Sequence, residues 1–255
     1  IYSAKNMKKR DIWISDLTHT AQGITSHTFP LGVSLVYSYA KQELGKEFNF
    51  KLFKFPSQLS DAMNEKSPAM LCFSNFSWNL ELGYKFAHLA KLKNPNVVTV
   101  FGGPNFPTEQ AEKLDFLKKR PAIDFYVELE GELAFVDIVN NLTSNNFDVS
   151  FLKKNEIKII NTSYLYNDRL VSGKIERIKD INIVPSPYLT GALDDFFNYP
   201  LVPILETTRG CPFSCTFCAD GLSSKNKIMR YNPERTKEEL HYIAKNVKNM
   251  NELII

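Results

Sequence analysis

Five short apolar segments alternate with five amphipathic segments over the first 142 residues, and this alternation constrains the fold more than any other feature. The predicted strands cover residues 10–17, 48–55, 69–76, 96–103 and 124–131, and the predicted helices cover residues 30–45, 57–66, 79–93, 108–119 and 131–142. Short connections between alternating strands and helices are typical of a parallel sheet with helices on both faces. We therefore predict an α/β, doubly wound domain whose ligand crevice lies beyond the carboxyl ends of the strands.

Residues 146–198 differ from the regular alternation that precedes them. Residues 157–174 are typical of a β-hairpin that turns at Asn167 and Asp168. Residues 183–197 contain a closely spaced pair of prolines and run into a short acidic helix, so they indicate a stiff linker.

The chain after residue 198 predicts the start of a second domain. A buried strand over 199–210 leads into a cysteine-containing loop, a helix over 236–250 follows, and residues 252–255 begin another strand. Strand, loop, helix and strand in this order form a βαβ unit. The predicted domains are therefore a doubly wound domain over 1–145, the hairpin and linker over 146–198, and the start of a second α/β domain over 199–255.

Composition indicates a globular protein without a nucleic-acid or membrane partner. The formal net charge is +3 over 255 residues, and basic and acidic residues are interspersed. No apolar run approaches the roughly 20 residues that span a bilayer, and the N-terminus lacks the apolar stretch of a signal peptide. We therefore expect a cytoplasmic protein, in which the four cysteines have no need to form disulfides.

Three of the four cysteines, Cys211, Cys215 and Cys218, lie close together in one loop. Zinc sites usually combine two C-x-x-C units or add histidines, whereas this loop has one such unit and no histidine. Three thiolates without a local fourth ligand suit a 4Fe–4S cluster in which one iron stays open, and the alternative is a loop with incidental thiols. The fourth cysteine, Cys72, lies in an apolar predicted strand, where we expect a buried small hydrophobe.

The C-x-x-x-C-x-x-C spacing, with Phe217 directly before the last cysteine, resembles that of the radical S-adenosylmethionine (SAM) superfamily. The resemblance implies that Cys211, Cys215 and Cys218 bind three irons of a 4Fe–4S cluster. The fourth iron would bind SAM, whose reductive cleavage yields a 5′-deoxyadenosyl radical. Phe217 would lie near the adenine, and a core aromatic is an equal alternative. The resemblance also implies that residues 199–255 are the N-terminal part of a (β/α) barrel that is truncated here. It further implies a small-molecule substrate and a reductant such as flavodoxin or ferredoxin.

The loops at the carboxyl ends of the predicted strands resemble those of the cobalamin-binding domain that precedes the barrel in cobalamin-dependent radical SAM enzymes. They read SDLTHTAQG after the first strand, SNFSWN after the third, GGPNFPTE after the fourth and ELEGE after the fifth. The glycine pair has a physical reason, since a backbone without Cβ can approach a nucleotide tail closely. The residues that the resemblance predicts to contact cobalamin are Asp16, His19, Ser74, Trp78, Gly102, Gly103 and Thr108.

His19 is the candidate axial ligand of the cobalt. Some cobalamin enzymes place this ligand in an Asp-x-His-x-x-Gly motif, whereas here two residues separate Asp16 from His19 and three separate His19 from Gly23. Because the spacing departs from the motif at both steps, we expect that His19 lies in the cavity wall and does not coordinate cobalt. Trp78, just past the third predicted strand, is a candidate to cover a corrin face or to fill the domain interior.

Three functions stay open from the sequence. The first is a cobalamin-dependent radical SAM enzyme that methylates, rearranges or cyclises its substrate. The second is a radical SAM enzyme whose first domain does not bind cobalamin, and the third is a non-enzymatic iron–sulfur or zinc protein. A complete barrel needs about six βα units, and the sequence starts with Ile1 rather than Met. We therefore expect a segment of a longer enzyme that is inactive by itself.

Overall fold

The computed structural model describes residues 9–24, 26–213, 215–216, 218, 227–248 and 252–255. These residues form two compact units. The first contains the described residues up to 24 together with Ala40–Glu176, and the second contains Ser26–Tyr39 and the described residues from 177 onward. Among the described residues, no helix is both long and apolar enough to cross a bilayer.

The first unit is built on a seven-stranded sheet, which confirms the predicted α/β class. Its strands are β1 Arg10–Ser15, β2 Phe48–Phe53, β3 Met70–Ser74, β4 Val98–Gly102, β5 Phe125–Val127, β6 Thr162–Tyr166 and β7 Arg169–Ser172. They lie in the order β2-β1-β3-β4-β5-β6-β7, with β1 to β5 parallel and the last two antiparallel. The first five strands thus have the flavodoxin-like order, in which the strand order reverses between β1 and β3.

One helix follows each of the five parallel strands, as the hydrophobic periodicity predicts. These helices are α1 Leu31–Leu44, α2 Pro56–Glu65, α3 Leu80–Lys93, α4 Gln110–Lys118 and α5 Gly131–Ser144. A short helix, α6 Val149–Lys154, was not predicted from the sequence. It begins there because the side chain of Asp148 accepts a hydrogen bond from the N–H of Phe151 at 3.0 Å, which caps its first turn.

β1 lies in the interior of the sheet, because β2 and β3 pair with its two edges. Its side chains Ile12, Trp13 and Ile14 are at most 2% exposed. Consecutive side chains of a strand point to opposite faces, so their joint burial shows that both faces are covered. Trp13 packs against Phe53 of β2 with ring centroids 5.3 Å apart. The loop that follows β1 therefore starts from a fully buried strand.

The predicted hairpin is confirmed, and it extends the sheet of the first unit. Asn167 and Asp168 both have positive φ, 48° and 58°, as the central residues of a type I′ turn require. β6 pairs antiparallel with β5, where Thr162 faces Val127. The sequence places this hairpin between two domains, whereas the structure packs it with the first unit. The predicted domain boundaries at residues 145 and 198 concern the complete protein and stay a prediction.

Besides the start of α1, the described residues of the second unit form short strands, a long helix and turns of 3₁₀ helix. Its elements are β8 Thr208–Arg209, β9 Met229–Arg230, α7 Pro233–Asn246 and the 3₁₀ turns Ile181–Ile183 and Asp194–Asn198. The helix begins earlier than the predicted residue 236. Asn232 caps it by accepting a hydrogen bond from the N–H of Glu234 at 2.9 Å, and Pro233 takes the first helical position.

The predicted strand over residues 199–210 is only partly correct. Val202 makes a single parallel bridge with Thr28, and Ile204 makes one with Ile254. Pro203 lies between the two bridged residues and has no N–H to donate, which interrupts a regular ladder. The bridge between Ile204 and Ile254 joins the segments before the cysteine loop and after α7 in parallel, as the predicted strand–loop–helix–strand order requires.

Candidate cofactor crevice and cysteine loop

Asp16, the first residue after β1, is bonded to side chains that follow or end the two neighbouring strands. The Nζ of Lys54, directly after β2, donates to its Oδ2 at 2.8 Å, and the Oγ of Ser74, the last residue of β3, donates to its Oδ1. Asn79 donates to the Oγ of Ser74 at 2.9 Å and to Asp16 Oδ1 at 3.4 Å. Asp16 and Ser74, both predicted to contact cobalamin, therefore hold the ends of β1 and β3 together.

Lys54 is a member of this network that was not predicted. Its side chain is 0% exposed and that of Asp16 is 14% exposed. A buried ammonium needs a carboxylate partner, so each of these two residues depends on the other. The parallel register pairs Ser15 with Phe53, which sets Asp16 opposite Lys54. In the sequence, Asp16 and Lys54 each come directly after an apolar strand. This pattern predicts an ion pair only when it is known that β1 and β2 are neighbours in the sheet.

His19 and Trp78 meet between the loops that follow β1 and β3. The Nε2 of His19 lies 2.9 Å from the carbonyl oxygen of Trp78. The indole of Trp78 is 47% exposed, and it stacks on the ring of Phe76 with centroids 4.6 Å apart and planes 7° apart. Flavodoxin-like sheets bind their ligands between the carboxyl ends of β1 and β3. The structure therefore places both residues at the predicted crevice, together with an exposed flat aromatic surface.

Both glycines at the end of β4 lie close to neighbouring segments of the protein. Gly103 has a φ of +134°, a conformation that favours glycine. A Cβ on Gly103 would lie 2.6 Å from the carbonyl oxygen of Asn75, and one on Gly102 would lie 3.3 Å from the Cβ of Val127. At Gly103 the close contact that requires glycine is therefore with the protein's own loop after β3. The approach of a nucleotide tail to the glycine pair stays a prediction.

A buried hydrogen-bond network fixes the contact between the loops after β3 and β4. The Nδ2 of Asn75 donates to the carbonyl oxygen of Asn105 at 2.9 Å and to the Oη of Tyr126 at 2.7 Å. The Oη of Tyr126 donates to the carbonyl oxygen of Gly103 at 3.0 Å. Burial raises the pKa of Tyr126, which keeps the phenol protonated and able to donate. No sequence pattern predicts this network, because its members come from three separate segments.

Thr108, the last of the predicted cobalamin contacts, is exposed in the loop before α4. The loops after β1, β3 and β4 lie at the same edge of the sheet, because these strands are parallel. The contacts described above link the first loop to the second and the second to the third. The crevice edge is thus a connected set of loops, with Thr108 at its outer side.

The cysteine loop follows β8 directly. Cys211 is half-buried, Cys215 and Cys218 are exposed, and all three are free thiols. The N–H of Cys218 donates to the carbonyl oxygen of Cys215 at 3.2 Å. Within the described ranges, no three Cys, His, Asp or Glu side chains are grouped closely enough to hold a metal ion. The donor set itself fits an iron–sulfur cluster, since that cluster is bound by cysteine thiolates. Phe217 lies outside the described residues.

The chain is similar to curated enzymes over most of its length, although no family model matches it. The cobalamin-dependent radical SAM methyltransferase TokK of Streptomyces tokunonensis is 28% identical over 236 residues, which are 88% of this chain and 33% of that protein. The anaerobic magnesium-protoporphyrin IX monomethyl ester cyclase of Cereibacter sphaeroides is 24% identical over 193 residues, which are 73% of this chain and 30% of that protein. The chain therefore spans about a third of the length of these relatives.

A solved structure shares the fold. The cobalamin-dependent SAM radical enzyme OxsB, with aqua-cobalamin and SAM bound, matches 96% of this chain and 33% of its own with a TM-score of 0.67 and 18% identity. The resemblance found in the sequence is therefore confirmed, because TokK and OxsB, which each match most of this chain, are cobalamin-dependent radical SAM enzymes.

Proposed function

We propose that the complete protein is a cobalamin-dependent radical SAM methyltransferase. The observation that carries this proposal is the order of two features in one chain. A flavodoxin-like sheet with a crevice between β1 and β3 comes first, and a loop with three free cysteines follows. The alignment with TokK, which covers 88% of the chain, supports this proposal. When bound, the iron–sulfur cluster would supply the electron that cleaves SAM, and cobalamin would carry the methyl group.

Cys211, Cys215 and Cys218 are the proposed ligands of the cluster. Three protein ligands leave one coordination position for a small molecule, which a catalytic metal site requires. Flavodoxin or ferredoxin is the proposed reductant, and a small molecule is the proposed methyl acceptor. The free state of the three thiols agrees with a reducing compartment, so we propose that the protein is cytoplasmic.

The crevice between the loops after β1 and β3 is the proposed cobalamin site. Asp16 and Ser74 support it by holding these loops together, so their role there is to position the backbone. Trp78 supports it because a large exposed indole stacked on Phe76 offers a flat apolar surface to a flat ligand. The network around Tyr126 fixes the neighbouring loop, which favours a crevice that is formed before the cofactor arrives.

Anaerobic reconstitution of the full-length protein tests the proposal. We expect about four irons and four sulfides per chain, cobalamin absorbance that persists after removal of excess hydroxocobalamin, and methylation of an acceptor with SAM. A protein that keeps iron and cleaves SAM without retaining cobalamin would instead be a radical SAM enzyme whose first unit does not bind cobalamin. A protein that binds iron but never cleaves SAM would be a non-enzymatic iron–sulfur protein.

A cyclase is the second candidate, because a curated cyclase aligns with 73% of the chain. Methyl transfer is favoured, since the methyltransferase TokK has the higher identity and covers 88% of the chain. Product analysis separates the two reactions. A methyltransferase gives a product heavier by one methylene unit and converts SAM to S-adenosylhomocysteine, whereas a cyclase closes a ring without adding carbon.

We expect that replacing His19 by Ala leaves the electron paramagnetic resonance spectrum of protein-bound Co(II) cobalamin unchanged. The Nε2 of His19 faces a carbonyl oxygen, which can only accept, so this nitrogen carries a proton and is not free to bind cobalt. The measurement is the nitrogen splitting of the spectrum in both proteins. Splitting in the wild type that disappears in His19→Ala would show that His19 leaves Trp78 and coordinates the metal.

A further inference from the structure

The two ends of the cysteine loop are joined by the short ribbon of β8 and β9. Thr208 pairs with Arg230, and Arg209 pairs with Met229, in antiparallel register. β8 ends two residues before Cys211, and β9 begins after the last cysteine of the loop. The segment that carries all three thiols therefore starts and finishes at the same pair of strands.

A carboxylate lies at the base of this ribbon and receives three hydrogen bonds. The Nε and Nη2 of Arg209 donate to the two carboxylate oxygens of Glu206, each at 3.0 Å. The Oη of Tyr231, which follows β9, donates to the Oε2 of Glu206, also at 3.0 Å. Bidentate contacts between guanidinium and carboxylate have a fixed direction as well as strength. Glu206 therefore connects a residue at the start of the loop to one just past its end.

Tyr231 is also fixed from its other side. The guanidinium of Arg235, on α7, lies over its ring at 4.0 Å from the centroid, and the Nε of Arg235 donates to Glu239 at 3.0 Å. The N–H of Tyr231 donates to the carbonyl oxygen of Thr207 at 3.2 Å. The phenol is thus held between α7 and the strand segment that precedes the cysteines, and its ring is buried.

We propose that Glu206, Arg209 and Tyr231 act as positioning residues for the iron–sulfur cluster. They keep the two ends of the cysteine loop at a fixed separation and direction, so less conformational freedom is lost when Cys211, Cys215 and Cys218 converge on iron. The proposal rests on the proposed function for its ligand. None of the three side chains is a ligand itself, and their effect is on how firmly the cluster is held.

The rate at which a ferrous chelator strips iron from the reconstituted full-length protein tests this role. We expect Tyr231→Phe and Glu206→Gln to lose iron about tenfold faster than the wild type, since each removes a hydrogen bond to a charged group. Tyr242→Phe is the matched control, because its phenol also donates to a carboxylate of the second unit, that of Asp194 at 2.6 Å, but not at the ribbon. This control should lose iron at the wild-type rate.

Two further measurements distinguish a positioning role of Tyr231 from a role in overall stability. The thermal unfolding midpoint of Tyr231→Phe should match that of Tyr242→Phe. Titration of the iron-free protein with Co²⁺ should give thiolate-to-metal absorbance, with about tenfold weaker binding in Tyr231→Phe than in its control. Iron loss that only accompanies a lower unfolding midpoint would contradict the proposal.

The outcomes also separate this proposal from the proposed function. A wild-type protein that takes up neither iron nor Co²⁺ through its thiols contradicts the iron–sulfur site itself. A wild-type protein that holds iron, with variants that lose it no faster, contradicts only the positioning role of Glu206 and Tyr231. If Glu206→Gln does not fold, the comparison of iron loss between Tyr231→Phe and its control Tyr242→Phe tests the proposal by itself.

Discussion

Replacing Cys211, Cys215 and Cys218 together by Ala is expected to abolish iron binding and SAM cleavage in the full-length protein. The wild type should hold about four irons and four sulfides through these thiolates. The described part of the chain has no group of three Cys, His, Asp or Glu side chains placed closely enough to hold a metal, so it offers no ready substitute for the three thiols. Iron and sulfide analysis after anaerobic reconstitution measures the first effect, and release of 5′-deoxyadenosine from SAM measures the second.

Cys72→Ala is the control for the triple variant. Cys72 is 3% exposed in the middle of β3, and burial raises the pKa of its thiol, which confirms the prediction of a buried small hydrophobe. This variant should keep its full content of iron and sulfide. A triple variant that still binds iron, or a wild type purified without oxygen that holds stoichiometric zinc and no iron, would contradict the proposed ligand set.

Gly103→Val is expected to destabilise the first unit by about 3 kcal/mol or more. The added Cβ would lie 2.6 Å from the carbonyl oxygen of Asn75, and valine is disfavoured at a φ of +134°. Relief of that clash would separate the loops after β3 and β4 and break the bond from Tyr126 to Gly103. Urea unfolding followed through the fluorescence of Trp13 and Trp78 measures the loss, and cobalamin retention should fall with it.

Gly32→Val is the matched control, because an added Cβ there has no described atom within 4 Å. Its stability should stay within about 0.5 kcal/mol of the wild type, as for most surface substitutions. The two glycine variants also decide between two explanations for Gly103. Normal stability with lost cobalamin would show that the glycine makes room for the cofactor, as first expected from the sequence, and would refute the loop contact as its reason.

The order of helices and strands in the first unit was predictable, because each element has its own hydrophobic period. The hairpin was predictable too, since Asn167 and Asp168 tolerate the positive φ that its turn needs. Elements whose ends depend on a single local contact were not predictable. Helix α6 depends on one cap at Asp148. The start of α7 depends on Asn232, which lies two residues after the end of β9, a strand that was not predicted from the sequence.

The location of the candidate site was predictable from the sequence, but the hydrogen bonds and the ion pair between its residues were not. Loops that follow parallel strands meet at one edge, so Asp16, Ser74 and Trp78 could be placed together from the strand pattern alone. The partners of these residues depend on strand order and register. Lys54 reaches Asp16 only because β2 lies beside β1, and Asn75 meets Tyr126 across β4. The carboxylate of Asp16 forms an ion pair with Lys54, which explains why it does not orient the imidazole of His19.

The ion pair between Lys54 and Asp16 couples two positions in the evolution of this chain. Loss of Asp16 alone would remove the carboxylate to which the buried ammonium of Lys54 donates, and breaking a buried pair in this way costs about 3–5 kcal/mol. Exchange of both residues for apolar ones of similar volume avoids that penalty. Homologues should therefore covary at these two positions, keeping the acid and the base together or losing both.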